Sequence, residues 1–132
     1  MVDASFAHGE AGLGAILFSR QGSVIESASY FSIPDSVEWA ELWAIKLGVS
    51  RAINYGLQSF QVLNVSLTLI RAFKQKLCQT GNFMVNFFFS VLDKVRSIEL
   101  VEFMWIPRDF NVEAHNLSIR ARQLKLMDCM LI

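Results

Sequence analysis

The 132-residue chain reads as one α/β domain, a mixed sheet with helices packed on it. Three observations predict this. The first third holds strand-length apolar runs separated by turn signals. The remainder alternates strand-like stretches with segments whose apolar residues recur at helical spacing. The chain is also 53% hydrophobic and 18% charged, a balance that supports a buried core and argues against disorder.

Each element has its own local reason. VDASF (2–6) reads as the tail of a strand, with His8-Gly9-Glu10 as a turn. AGLGAILFS (11–19) is a Gly-punctuated apolar strand, Gln21-Gly22 a turn, and SVIESASYFSI (23–33) the returning strand, so these segments form an antiparallel meander. Pro34 breaks it, and Asp35 or Ser36 caps a helix that runs to Gly56, a C′ residue. On that helix Val37, Ala40, Ala44, Ile45, Gly48 and Ala52 form one stripe facing a core. FQVLNV (60–65) has strand composition, and Ser66 caps a helix through Leu77 with Arg71, Lys74 and Lys76 on its wet side. After a break at Gly81-Asn82, FMVNFFFSVLDKVRSI (83–98) is a strongly apolar helix. LVEFMWI (100–106) is a strand closed by Pro107, and NVEAHNLSIRARQLKLM (111–127) is a helix with Ala114, Leu117, Ala121 and Leu124 on one face. The predicted order is β-β-β-α-β-α-α-β-α.

Several classes are excluded. The longest apolar stretch, FMVNFFFSVL (83–92), is interrupted by Asn86 and Ser90 and is too short to span a bilayer, so no membrane role is expected. The chain opens without a basic region or an apolar signal segment, and an intracellular location, nuclear or cytoplasmic, is expected. Cys78 and Cys129 stand in no CxxC or Cys/His cluster, so they read as free thiols rather than a disulfide or zinc site. The net charge is zero, yet residues 1–70 carry three basic and six acidic residues, and the remainder nine and six. The first half can therefore favour a cation and the second a phosphate, unless the asymmetry is chance.

In such a sheet, side chains at strand ends and helix starts converge. Asp3 lies on the first strand, Glu41 in the early turns of the first helix, Val65 at the end of the fourth strand, and His115 in the first turns of the last helix. Two carboxylates from separate elements are the usual way to hold Mg²⁺, a hard cation that prefers oxygen. Singly, Asp3 also reads as a solvated terminal residue, Glu41 as a helix residue tilted to water, and His115 as a capping or core histidine, and none is convincing alone.

Four stretches in fitting order carry a resemblance. VDASF (2–6), AGLGAILFSRQGSVI (11–25), AELWAI (40–45) and PRDFNVEAHNLS (107–118) resemble the motifs of ribonuclease H-like domains of the plant reverse-transcriptase-like, retroelement-derived type. The resemblance covers nearly all of the chain. It implies a five-stranded mixed sheet, three antiparallel strands then two parallel, flanked by helices, here with the start of the first strand lacking. It also implies an endonuclease that hydrolyses the RNA strand of RNA–DNA hybrids with two metal ions.

By this resemblance Asp3, Glu41 and His115 are the catalytic residues, and Asp3 and Glu41 the metal ligands. The family's third acidic residue falls on Val65 in LNVS (63–66), and its fourth on His115. Val65 offers no lone pair, and neutral imidazole is a poor magnesium ligand. Asn64 is adjacent, but strand alternation is expected to turn it to the opposite face. The expectation is a degenerate site that holds Mg²⁺ or Mn²⁺ weakly if at all, with hydrolysis weak or lost. The expected partner is RNA–DNA hybrid or RNA, contacted by Arg108, Asn111, Arg120 and Arg122, with Lys125 nearby, and bound as a monomer. The alternative is a pseudo-nuclease that docks a protein through the apolar 83–98 region.

Overall fold

The computed structural model describes residues 1–76, 82–125 and 127–131, the side chains of 82–84 and 127–131 excepted. Cys78 and Gly81 therefore lie outside the described residues, as does the side chain of Cys129. β1 (Val2–Ala7), β2 (Glu10–Phe18) and β3 (Val24–Ser32) form the expected meander. His8 (φ 54°) and Gly9 (φ 76°) make a two-residue turn with both residues left-handed, the geometry that matches the twist of the flanking strands. β1 pairs antiparallel with β2 from Val2↔Ala15 to Ala7↔Glu10.

α1 (Val37–Tyr55) starts at Ser36, whose hydroxyl accepts the N–H of Trp39, and ends at Gly56 in the left-handed region. β4 (Ser59–Asn64) leads through Ser66, the N-cap, into α2 (Leu67–Gln75). α3 (Asn82–Arg96), β5 (Leu100–Trp105), a 3₁₀ turn (Arg108–Phe110) and α4 (Val112–Leu124) follow. β4 and β5 pair in parallel from Ser59↔Leu100 to Asn64↔Trp105.

Strand alternation on β1 and β2 sorts the two helical layers. Val2, Leu13 and Ala15 face α1 and belong to one core with Leu42, Ile45 and Val49 of α1, Ile70 and Phe73 of α2, Phe88, Val91 and Leu92 of α3, and Phe103 of β5. Phe73 stacks on Phe103 with ring centroids 4.6 Å apart. The opposite face carries Gly12 and Gly14 and receives α4. A Cβ on Gly12 would sit 1.8 Å from the Ser118 carbonyl oxygen, and one on Gly14 2.5 Å from that of Ala114. The helix backbone thus rests directly on the strand.

That contact corrects the expected face of α4. The buried residues are Ala114, Ser118 and Ala121, while Leu124 is 59% exposed. Close approach selects small side chains, not leucines. On α1 the buried stripe is Ala40, Leu42, Ala44, Ile45, Val49 and Ala52, and Val37 is exposed. The last helix also stops earlier than its apolar pattern suggests. Lys125 takes a left-handed conformation (φ 52°), and the chain turns back as a sixth strand, β6 (Met127–Leu131), antiparallel to β3.

The sheet itself is divided. Backbone pairing gives one sheet of order β1-β2-β3-β6 and another of β4-β5. Between β2 and β4 lies a cavity of about 710 Å³ lined by Ile16, Phe18, Phe60, Val62 and Leu100 among others.

The apolar 83–98 helix is largely spent on the core. Phe88, Val91 and Leu92 are buried, and Phe87 packs against Trp39 at 5.5 Å between centroids. Among its described aromatic side chains only Phe89 is exposed. Glu26, buried on β3, is paired with Arg51 of α1, a second tie between this sheet and its helix.

Gly12→Ala is expected to destabilise the fold by about 3 kcal/mol or more, because α4 must lift off β2. Gly9→Ala, which meets nothing within 4 Å, is expected to cost only the left-handed strain, about 1–2 kcal/mol. Urea unfolding of the two variants measures the difference, and equal losses would contradict the close helix–strand contact.

Candidate functional site

The carbonyl of Val2, one residue before Asp3, accepts two side-chain amides. Asn64 Nδ2 at the end of β4 and Asn111 Nδ2 before α4 each lie 3.0 Å from it. Both asparagines are fully buried. Asn64 also donates from Nδ2 to Glu41 Oε2 at 3.2 Å, and its Oδ1 accepts the N–H of Ser66 at 2.8 Å. Its amide therefore ties β4 to β1, to α1 and to the start of α2.

Asp3, on the α4 side of β1, is buried, and the Nδ1–H of His115 donates to its Oδ2 at 2.7 Å. Glu41 stands close by. Burial pushes its carboxyl up from the usual 4.5 to about 7, helped by the charge of Asp3 and a side-chain hydrogen bond with Asp3. The Asn64 amide and the Arg108 guanidinium act the other way. Asp3, Glu41 and His115 are thus brought together from three elements. Glu41 stands beside Asp3 although the charge of Asp3 disfavours its ionised form.

Val65 is a half-buried bend residue after β4 whose carbonyl accepts Trp105 Nε1 at 2.9 Å. Asn64, expected to face away, is the residue that reaches Glu41. Val62 and Asn64 share the buried side of β4, the side on which α1 packs, so alternation directs Asn64 toward the helix that carries Glu41. The readable signal was a polar residue two places after a core valine and two before a helix cap.

The expected nucleic-acid contacts divide. Arg108 and Arg120 are exposed. Arg122 is half-buried, its Nε donating to Ser5 Oγ at 2.8 Å. Asn111, expected as a polar contact, is buried and its amide bonds the carbonyl of Val2. Lys125 lies 3.7 Å from Glu10 Oε2, at the hairpin end of β1 and away from Asp3.

The residues present do not fit a two-Mg²⁺ centre. Asp3 and Glu41 supply at most two negative charges, against four positive charges on two ions. His115 and Asn64 each take one of their oxygens. Among the described residues, no group of three or more His, Cys, Asp or Glu is placed to hold a metal ion.

A pH dependence follows from Glu41. Its folded-state value lies above its ordinary one, so the folded chain holds a proton that the unfolded chain releases. The associated stability is fully present below about pH 4.5 and is lost as pH rises through about 7. The loss is expected to reach about 3 kcal/mol, and Glu41→Gln should abolish it. Denaturant unfolding between pH 4.5 and 8 checks both, and a wild-type profile matching that of Glu41→Gln would contradict the burial of this carboxyl.

Comparison with known proteins agrees with the architecture. The N-terminal RNase H domain of rv2228c from Mycobacterium tuberculosis, solved as a fusion with maltose binding protein, superposes with a TM-score of 0.87 at 17% identity, over 94% of this chain and 91% of that one. RNase H1 from the halophilic archaeon Halobacterium salinarum NRC-1 gives 0.83 at 15%, over 91% and 92%. LC11-RNase H1 in complex with RNA/DNA hybrid gives 0.82 at 18%, over 93% and 94%. At these identities the likeness shows a ribonuclease H fold. No curated protein matches the chain. Among the described residues, no helix is long and apolar enough to cross a membrane. The family model described as reverse transcriptase-like matches residues 1–121, and the chain belongs to that family.

Proposed function

We propose that this domain binds RNA–DNA hybrid or RNA at the end of the sheet marked by Asp3 and Glu41, with RNA-strand hydrolysis weak or lost. One observation carries the reading. The acidic pair is engaged by partners of its own chain, Asn64 on Glu41 and His115 on Asp3. A hydrolytic centre of this kind works by leaving such oxygens to metal ions. Val65, at the position of the family's third acidic residue, adds no ligand. A single Mg²⁺ or Mn²⁺ held weakly by Asp3 and Glu41 is the most that this donor set supports.

The partner class follows from the fold and the basic residues near the site. A ribonuclease H1 of the same fold was solved in complex with RNA/DNA hybrid. Arg108 and Arg120 are exposed on the 3₁₀ turn and α4. Binding is expected in the micromolar range or weaker, falling steeply with salt, because few phosphate contacts are available. Arg108→Ala should weaken it and flatten the salt slope.

Release of labelled RNA from a hybrid duplex tests the catalytic half. The wild-type protein in Mg²⁺ is expected to match the Asp3→Asn variant. Val65→Asp, which supplies a carboxylate, is expected to give measurable cleavage, stronger in Mn²⁺ than in Mg²⁺ because Mn²⁺ accepts the imidazole of His115 more readily. Robust Mg²⁺-dependent cleavage by the wild-type protein, lost in Asp3→Asn, would overturn the reading.

A further inference from the structure

Two aromatic rings stand at the rim of the site without a structural task that hides them. Trp105, the last residue of β5, is 46% exposed, and Phe110, the last residue of the 3₁₀ turn, is 69% exposed. Neither stacks on another aromatic ring among the described residues, unlike Trp39, Trp43, Phe73, Phe87 and Phe88.

Short hydrogen-bonded links connect the segments that carry both rings to the acidic pair. Trp105 Nε1 donates to the carbonyl of Val65, whose neighbour Asn64 bonds Glu41. Phe110 precedes Asn111, which bonds the carbonyl of Val2, the neighbour of Asp3. Between the two rings in sequence is the exposed Arg108, whose charge acts on Glu41. The indole is held by its edge to the backbone, so a ring face can be offered without ordering a mobile side chain.

We propose that Trp105 and Phe110, with Arg108 between them, form a stacking surface for unpaired nucleobases, so that the domain prefers single-stranded nucleic acid to a duplex. This rests on the nucleic-acid reading above and narrows it. Charge supplies the argument. A duplex hides its base faces and is gripped through phosphates, which demands several free cations. This chain has no net charge, and near the site Arg122 is half-buried. A single strand exposes its base faces, and stacking adds affinity that does not depend on net charge. Arg108, between the two rings in sequence and exposed, suits the phosphate of the bound strand, a complementarity that an apolar protein partner would not use.

The test is fluorescence anisotropy with a labelled 12-nucleotide single strand, as RNA and as DNA, and with a 12-base-pair RNA–DNA hybrid, each at two salt concentrations. The wild-type protein is expected to bind the single strands several-fold more tightly than the hybrid. Trp105→Ala and Phe110→Ala should each weaken single-strand binding by about 5- to 100-fold with little change for the hybrid, and Trp105→Phe should retain most of it. Arg108→Ala should weaken both. Phe110→Ala, at an exposed position, serves where Trp105→Ala fails to fold. Tighter binding to the hybrid, or equal losses on both substrates, would overturn the stacking proposal alone. Binding to neither substrate would overturn the nucleic-acid reading and this proposal together, and would leave a protein as the occupant of the rim.

Discussion

One backbone carbonyl, that of Val2, is the point on which the site depends. The amides of Asn64 and Asn111 meet on it, each at 3.0 Å, and both are buried where water cannot substitute. The sheet of β4 and β5 has no backbone ladder to β1 among the described residues. At this end of the domain, the Asn64 side chain therefore does what a strand ladder does elsewhere. It fixes β4 to β1, while Asn111 fixes the start of α4 to the same atom. Asp3 follows Val2 directly, so the clamp also sets where that carboxylate stands.

The electrostatics follow from the same clamp. Glu41, half-buried beside the buried Asp3, is disfavoured in its ionised form. The compensation available is an imidazole on Asp3, an amide on Glu41 and the nearby charge of Arg108, and it leaves Glu41 raised to about 7. A proton can thus settle between Asp3 and Glu41 where a cation would otherwise balance them. Asn64 has a double effect. Its donor favours ionised Glu41, and the same amide ties β4 to β1 through the carbonyl of Val2.

Much of this was legible in the sequence, for local reasons. The hairpin at His8-Gly9, the caps Ser36 and Ser66, and the left-handed Gly56 are signals that act within a few residues, and each fell where expected. The convergence of Asp3, Glu41 and His115 was legible through motif order. The misses are all nonlocal. Lys125 turns the chain into β6 in a left-handed conformation that its residue type does not advertise. The buried face of α4 depends on Gly12 and Gly14 lying beneath it, a pairing visible only as small residues at 12 and 14 facing small residues at 114, 118 and 121. Asn64 was misjudged because its role is set by Glu41, from another element. The division of the sheet, too, depends on where β1 meets β4 in space.

The central claim is that Asp3 and Glu41 are engaged by His115 and Asn64 in place of a pair of metal ions. A crystal of the unmodified protein soaked in Mn²⁺ near pH 7, read by anomalous scattering, tests this most directly. The account predicts at most one weakly occupied ion at Asp3 and Glu41, with the Asn64 amide still on Glu41 and on the carbonyl of Val2. Two well-occupied ions about 4 Å apart at Asp3, with the Asn64 amide displaced, would contradict it.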